Sequence, residues 1–365
     1  MNITCTTEKL KNAVSLAERM TGKALTLPTL HALLLTATGK SLKIRATNLA
    51  LGIEIEIPAV IEMEGMVLVK GEVLANVCNH LNDATEVRLS LDHDNLTIQT
   101  PQNTTIIKCL PPDEFPTLPV VEGEQIEIKT SHLQEGIRSV YFCAAITDIK
   151  PEIASIFIYS EENTLCFVAT DSFRLAEKKI HIKGIQEISK ILIPYKNIAD
   201  ILRVLDVAPD TIRITYSRNQ IAFFANGLYL TSRLIDGGFP PYQLIIPKET
   251  LTKVVLLKQE LLNTLRLSTI FADKFFQVSF SIPEDKKNIT LSSKNSDVGS
   301  SISIVSAAIE GNPIEVDFNL KYFLDVFQAL SGDSVSISFT QPNKPIVVQS
   351  VNDTSFLYLL MPTNR

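Results

Sequence analysis

YKNIADILRVL, residues 195–205, decides the fold, because its pattern occurs three times. Ile198, Ile201 and Leu205 are spaced 3 and then 4, which puts them on one face of an α-helix. GEVLANVCNHL (71–81) repeats the spacing with Leu74, Val77 and Leu81, and LKYFLDVFQAL (320–330) with Phe323, Val326 and Leu330. The first apolar positions are 74, 198 and 323, so the offsets are 124 and 125.

Downstream of each helix come two runs of period 2, the mark of half-buried strands. Val87, Leu89 and Leu91 are followed by Leu96 and Ile98; Ile212 and Ile214 by Ile221 and Phe223; Val335, Ile337 and Phe339 by Ile346 and Val348. The turns between them are DHDN, SRNQ and QPNK. Upstream, EKLKNAVSLA, SHLQEGIRSV and QELLNTLRLS carry i, i+4 pairs at Leu10/Val14, Leu133/Ile137 and Leu261/Leu265. IRATNLALGIEIEI, FVATDSFRLAEKKIHI and LSSKNSDVGSSISI also align, with Asn48, Asp171 and Asn295 in register. Four elements sharing one period define three α+β copies of helix, strands, helix, strands. The seams FPTLPVVEGE and FPPYQLIIPKE predict domains at 1–124, 125–248 and 249–365.

Of the 365 residues 45% are hydrophobic and 20% charged, enough to bury sizeable cores and too apolar for global disorder. No run reaches the roughly 18 apolar residues of a membrane helix. The opening MNITCTTEKLK has no apolar core of a signal peptide, so a cytoplasmic protein without membrane association is expected. Five scattered cysteines without a CxxC fit a reducing compartment. The net charge of −6 argues against a broad basic surface but not against a local basic lining.

No phosphate-loop, dinucleotide, zinc-protease or nucleophile-elbow motif occurs, and the five histidines show no ligand spacing, so no metal, cofactor or catalytic residue is expected. Asp171 and Arg174 could be read as an acid beside a phosphate-binding cation, but Asn48 and Asn295 at the equivalent positions make Asp171 a turn cap. A repeat scaffold without DNA is the other alternative. Six helices at about 9 Å spacing would enclose a hole of only about 7 Å; twelve, from two chains, would leave about 25 Å, wider than a duplex of roughly 20 Å.

ATDSFRLA (169–176), SRLIDGGFPPY (232–242), TLPTLHALLL (26–35), LPPDEFPTLP (110–119) and YLLMPTNR (358–365) together resemble one family over essentially the whole chain: the β sliding clamp of bacterial DNA polymerase III. The resemblance implies three similar domains, inner helices and outer antiparallel sheets, and a head-to-tail homodimeric ring that encircles double-stranded DNA and confers processivity. It implies as partners the polymerase III catalytic subunit, an ATP-using clamp loader, and other polymerases and repair proteins carrying short linear motifs.

The same resemblance implies a partner-peptide pocket between the second and third domains. Its members would be Ile153, Thr170, Ser172, Phe173, Arg174, Leu175, Pro240, Leu244, Ile245, Leu359, Met361, Pro362 and Thr363. Lys23, Thr147 and Lys150 would face DNA. Thr105 and Ile107 would meet Thr269, Ile270 and Phe271 of a second copy at the dimer seam. The chain departs from the family pattern at Ser172-Phe173, where Gly-His is usual, at Tyr242-Gln243-Leu244, where basic residues are usual, and in its MPTNR tail. These departures imply a more apolar, less basic pocket.

Overall fold

The computed structural model describes residues 1–22, 27–81, 84–112, 115–285 and 287–363. Among them are six α-helices: α1 (Thr7–Glu18), α2 (Gly71–Asn79), α3 (Thr130–Val140), α4 (Tyr195–Val207), α5 (Lys258–Ile270) and α6 (Leu320–Asp325). Every repeat therefore carries the expected two.

The apolar stripes are the buried faces. Leu10 and Val14 are fully buried, as are Ile137, Ile201, Val204, Leu261 and Leu265. Two helices stop earlier than their pattern. In α2 the helix ends at Asn79, Leu74 and Cys78 fill the core, and Val77 is only half-buried. In the third repeat α6 has six residues and passes into a 3-10 turn, Val326–Gln328, which still buries Val326. Asn319 caps α6, its side chain accepting from the N–H groups of Lys321 and Tyr322.

Among the described residues the strands form three antiparallel sheets, and the two larger ones cut across the sequence repeats. One compact unit comprises residues 1–134 and 196–234. Its twelve-stranded sheet joins the first repeat to part of the second by pairing Leu51–Met63 with Leu228–Arg233. The other unit comprises 135–195 and 235–365. Its nine-stranded sheet pairs Arg174–His181 with Phe356–Leu360, and a separate four-stranded sheet holds Gly299–Ser306, Asn288–Asn295, Gln277–Ile282 and Ile314–Asn319. The middle repeat thus gives strands to both sheets. Unpaired strand edges are a liability, and pairing across a repeat boundary covers the edges at that junction.

Cys5, Cys78, Cys143 and Cys166 are buried free thiols, and Cys109 is half-buried. Burial pushes the Cys5 and Cys78 thiols up to about 12, so they act as small apolar groups. No described helix is long and apolar enough to cross a membrane, and the described residues contain no cluster able to hold a metal.

Candidate partner-binding pocket

The pocket starts from a tight turn. Strands Thr164–Thr170 and Arg174–His181 are joined by Asp171, Ser172 and Phe173. Thr170 Oγ1 donates to the Arg174 carbonyl at 2.7 Å and accepts from Ser172 N–H at 3.1 Å. Asp171 Oδ1 accepts from the N–H groups of Phe173 and Arg174, at 2.9 and 3.0 Å. The first repeat builds the same turn from TNLAL. There Thr47 Oγ1 donates to Leu51 O and accepts from Leu49 N–H, and Asn48 Oδ1 accepts from Ala50 and Leu51 N–H. Asn295 Oδ1 accepts from Asp297 N–H in the third. Asp171 is a turn cap, as its register with the two asparagines implied.

The turn aims its side chains differently. Ser172 has φ +78° and is exposed. Phe173 is 60% exposed, and its ring lies 6.4 Å from that of Tyr322 at 25°. The Arg174 side chain is largely buried: Nε donates to Asp171 Oδ2 at 2.9 Å, Nη1 pairs with Asp325, and the guanidinium lies over Tyr322. Leu175 stands opposite Leu359 in the sheet, and both are buried with Phe157, Val168, Leu192 and Tyr242. The C-terminal segment is tied down by Met361 N–H donating to Phe173 O and Thr363 N–H donating to Asp317 O.

Beside this turn lies a cavity of about 720 Å³. Of the expected residues it brings together Ser172, Leu244, Ile245 and Met361. Phe173 is exposed next to Ser172, while Thr170 and Arg174 hold the turn and Leu175 and Leu359 form the core behind it. Ile153, Pro240, Pro362 and Thr363 do not line the cavity. The Ile153 carbonyl instead accepts from Ala145 N–H, and that of Pro240 from Tyr242 N–H. The far wall was not foreseen: Ile246, Pro247, Lys248, Glu249 and Leu251, with Thr340, Gln341, Asn343, Lys344 and Pro345. QPNK was legible as a turn, and only the antiparallel pairing shows what the turn faces.

The other expected positions are dispersed. Lys23 lies outside the described residues. Thr147 Oγ1 accepts from Ile149 N–H in an exposed loop, and Lys150 is exposed. The most solvent-facing apolar side chains of that loop are Ile146 and Ile149, which sequence reasoning passed over. Ile107 turns into the core, 6% exposed, and strand alternation leaves its neighbour Ile106 outward at 65%. Ile270, at the end of α5, is 62% exposed, with Thr269 exposed and Phe271 half-buried beside it. Ile302 and Ile304 are exposed on Gly299–Ser306, an edge strand of the four-stranded sheet.

Three α+β repeats stitched into shared antiparallel sheets, with a pocket of mixed apolar and polar lining beside a capped turn, define a chain of the clamp class. The N-terminal, central and C-terminal domains of the DNA polymerase III beta subunit match residues 1–119, 127–241 and 243–364, and the chain belongs to that family. It is 28% identical over 373 residues to the Caulobacter vibrioides beta sliding clamp and 26% over 370 residues to that of Synechococcus elongatus, covering 99% of both chains in each case. Among solved structures, the Thermotoga maritima DNA polymerase III beta subunit superimposes with a TM-score of 0.94 at 28% identity, covering 100% of this chain and 99% of that one. The Caulobacter crescentus beta sliding clamp, solved with polyethylene glycol bound, gives 0.93 at 27% over the full length of both. Members of the family are processivity subunits and not enzymes.

Proposed function

We propose that this chain is a DNA sliding clamp: two copies close head to tail into a ring around duplex DNA and tether the replicative polymerase to its template. The observation that carries the reading is the match of all three domains of the family, in order, along the whole chain. We take the repeats, at 1–124, 125–248 and 249–365, as the three clamp domains. The acidic body suits enclosure, because tight phosphate neutralisation would steepen salt dependence and oppose sliding. A clamp loader would open the ring in the cytoplasm. Thr147 and Lys150, with Lys23, would face the DNA.

The cavity beside Ser172 would receive short linear peptides from the polymerase III catalytic subunit, the loader, other polymerases and repair proteins. Leu244, Ile245 and the flexible Met361 suit Leu or Phe anchors, and the exposed Phe173, next to Ser172, would add a further apolar contact. The test is retention on DNA: clamp loaded on nicked circular DNA withstands a high-salt wash that strips it from linear DNA of equal length. Equal loss from both forms would refute topological tethering.

A further inference from the structure

Two apolar walls of the pocket, Leu244 and Ile245, stand on a short 3-10 turn, Tyr242–Ile245. Leu244 is 82% exposed. The turn's local backbone bonds are Tyr242 N–H to Pro240 O, at 2.7 Å, and Leu244 N–H to Pro241 O, at 3.2 Å. Its anchor is Tyr242, whose ring is buried against the cluster of Phe157, Val168, Leu175 and Leu359 and meets Phe239 edge-on. Phenylalanine would pack there equally well. The hydroxyl is what needs a reason.

That hydroxyl donates to Glu177 Oε1. Glu177 is a carboxylate 4% exposed on Arg174–His181, the strand that leaves the Ser172 turn. Lys179 Nζ lies 3.0 Å from its other oxygen. A phenol has one proton, and Tyr242 gives its proton to Glu177. Tyr159, whose oxygen is 2.8 Å from that of Tyr242, must therefore be the donor of that pair. The Tyr159 oxygen can then accept from Gln243 Nε2, at 3.5 Å. The result is one directional chain, Gln243 to Tyr159 to Tyr242 to Glu177, closed by Lys179. Burial pushes the Tyr159 hydroxyl up to about 12 and raises that of Tyr242, so both protons stay in place.

A carboxylate among apolar side chains costs stability unless it is paired, and a wholly apolar cluster would avoid that cost. What the buried bond adds is a fixed position. We infer that Glu177 and Tyr242 are positioning residues of the partner pocket: their hydrogen bond locks the Tyr242–Ile245 turn, so that Leu244 and Ile245 are already ordered when a peptide with apolar side chains arrives. The inference rests on the docking reading of the cavity given above. A wall ordered in advance spares its ordering entropy at binding, and a loosened wall pays it then.

The experiment uses the full-length protein, a fluorescein-labelled hexapeptide bearing Leu and Phe side chains, and amide hydrogen exchange. Tyr242→Phe, which keeps the ring, lowers peptide affinity about tenfold, as expected for ordering two side chains at binding. It also speeds exchange at residues 243–246 about tenfold while the amides of Thr164–Thr170 keep their protection. Glu177→Gln keeps an acceptor for Tyr242 but sets its amide N–H2 against Lys179, so it lowers affinity and the protection of 243–246 by less than Tyr242→Phe does. The inference is overturned if Tyr242→Phe leaves both within twofold of the parent. It is also overturned if protection falls equally in Thr164–Thr170, which would make the bond a general stabiliser of the unit. A hexapeptide that fails to bind the unaltered protein would sink the docking reading instead, and the exchange comparison would still decide the positioning role.

Discussion

The guanidinium carbon of Arg174 lies 4.4 Å from the centre of the Tyr322 ring. Asp171 and Asp325 bind the nitrogens of the same group. A planar cation is thereby held on a ring face and between two carboxylates, with only a tenth of its side chain exposed. Phe173, the exposed residue next to Ser172, stacks on the same ring.

Arg174→Ala removes the stack and leaves the largely buried Asp171 without its cation. Asp325 is 42% exposed and water can solvate it, so its share of the loss is small. The expected destabilisation is about 2–3 kcal/mol. Arg174→Lys recovers less than half of this, because an ammonium cannot serve both carboxylates and the ring at once. Urea unfolding midpoints of the two variants check the order.

Ser172 is a strained point of the same turn. Its φ of +78° costs a non-glycine residue about 1–2 kcal/mol, while glycine loses about 0.5–1 kcal/mol of extra chain entropy on folding. The difference favours glycine, so Ser172→Gly stabilises by about 0.5–1 kcal/mol and raises the melting temperature by about 1–3 °C. A scanning-calorimetry midpoint that does not rise would mean that the Thr170 and Asp171 hydrogen bonds already absorb the strain.

The repeat was legible because its carriers are local. Helical stripes, alternating strands and the Asn48, Asp171, Asn295 register are all properties of short windows, and all three reappear as buried faces and side-chain-capped turns. The sheets were less legible. Nothing in LGIEIEIPAVIEM states that its partner is LYLTSR, over 160 residues downstream, because strand pairing is a non-local choice. The pocket suffered in the same way. Leu175 and Met361 both belong to the family pattern, yet only the pairing of Leu175 with Leu359 shows that one is core and the other is wall. Ile106 and Ile107 differ by a single register step, which sends one side chain to water and the other inward.

Gly136 sets two effects against each other. It lies inside α3, where alanine would be favoured by about 1 kcal/mol. A Cβ there would meet three atoms of the Phe167 ring at 2.2, 2.3 and 2.5 Å. Phe167 is fully buried and cannot swing out, and overpacking of this kind costs about 1–3 kcal/mol. Gly136→Ala is therefore net destabilising despite the better helix former. Gly136→Ala combined with Phe167→Leu separates the effects: it costs less than the sum of the two single changes, measured as a double-mutant cycle in urea.

The seam between two copies gives the last test. Gly299–Ser306 ends its sheet with an open edge and shows Ile302 and Ile304 to solvent, at 73% and 69% exposure. Ile270 adds a third exposed isoleucine at the end of α5. In the first domain, Thr104–Leu110 pairs along its length with Asn95–Gln99 but meets Gly65–Lys70 only at Leu110 and Cys109, and it turns Ile106 outward. An open edge with apolar side chains invites a second strand. If the two edges pair between copies, a charge at Ile270 or Ile304 is buried unpaired in the dimer and costs several kcal/mol there, while it is solvated in the monomer. Ile270→Asp and Ile304→Asp then sediment as folded monomers at low micromolar concentration, and Val298→Asp, exposed but in the preceding turn, stays dimeric. Dimers surviving both isoleucine changes would place the seam elsewhere, and a parent protein that is itself monomeric would remove the ring.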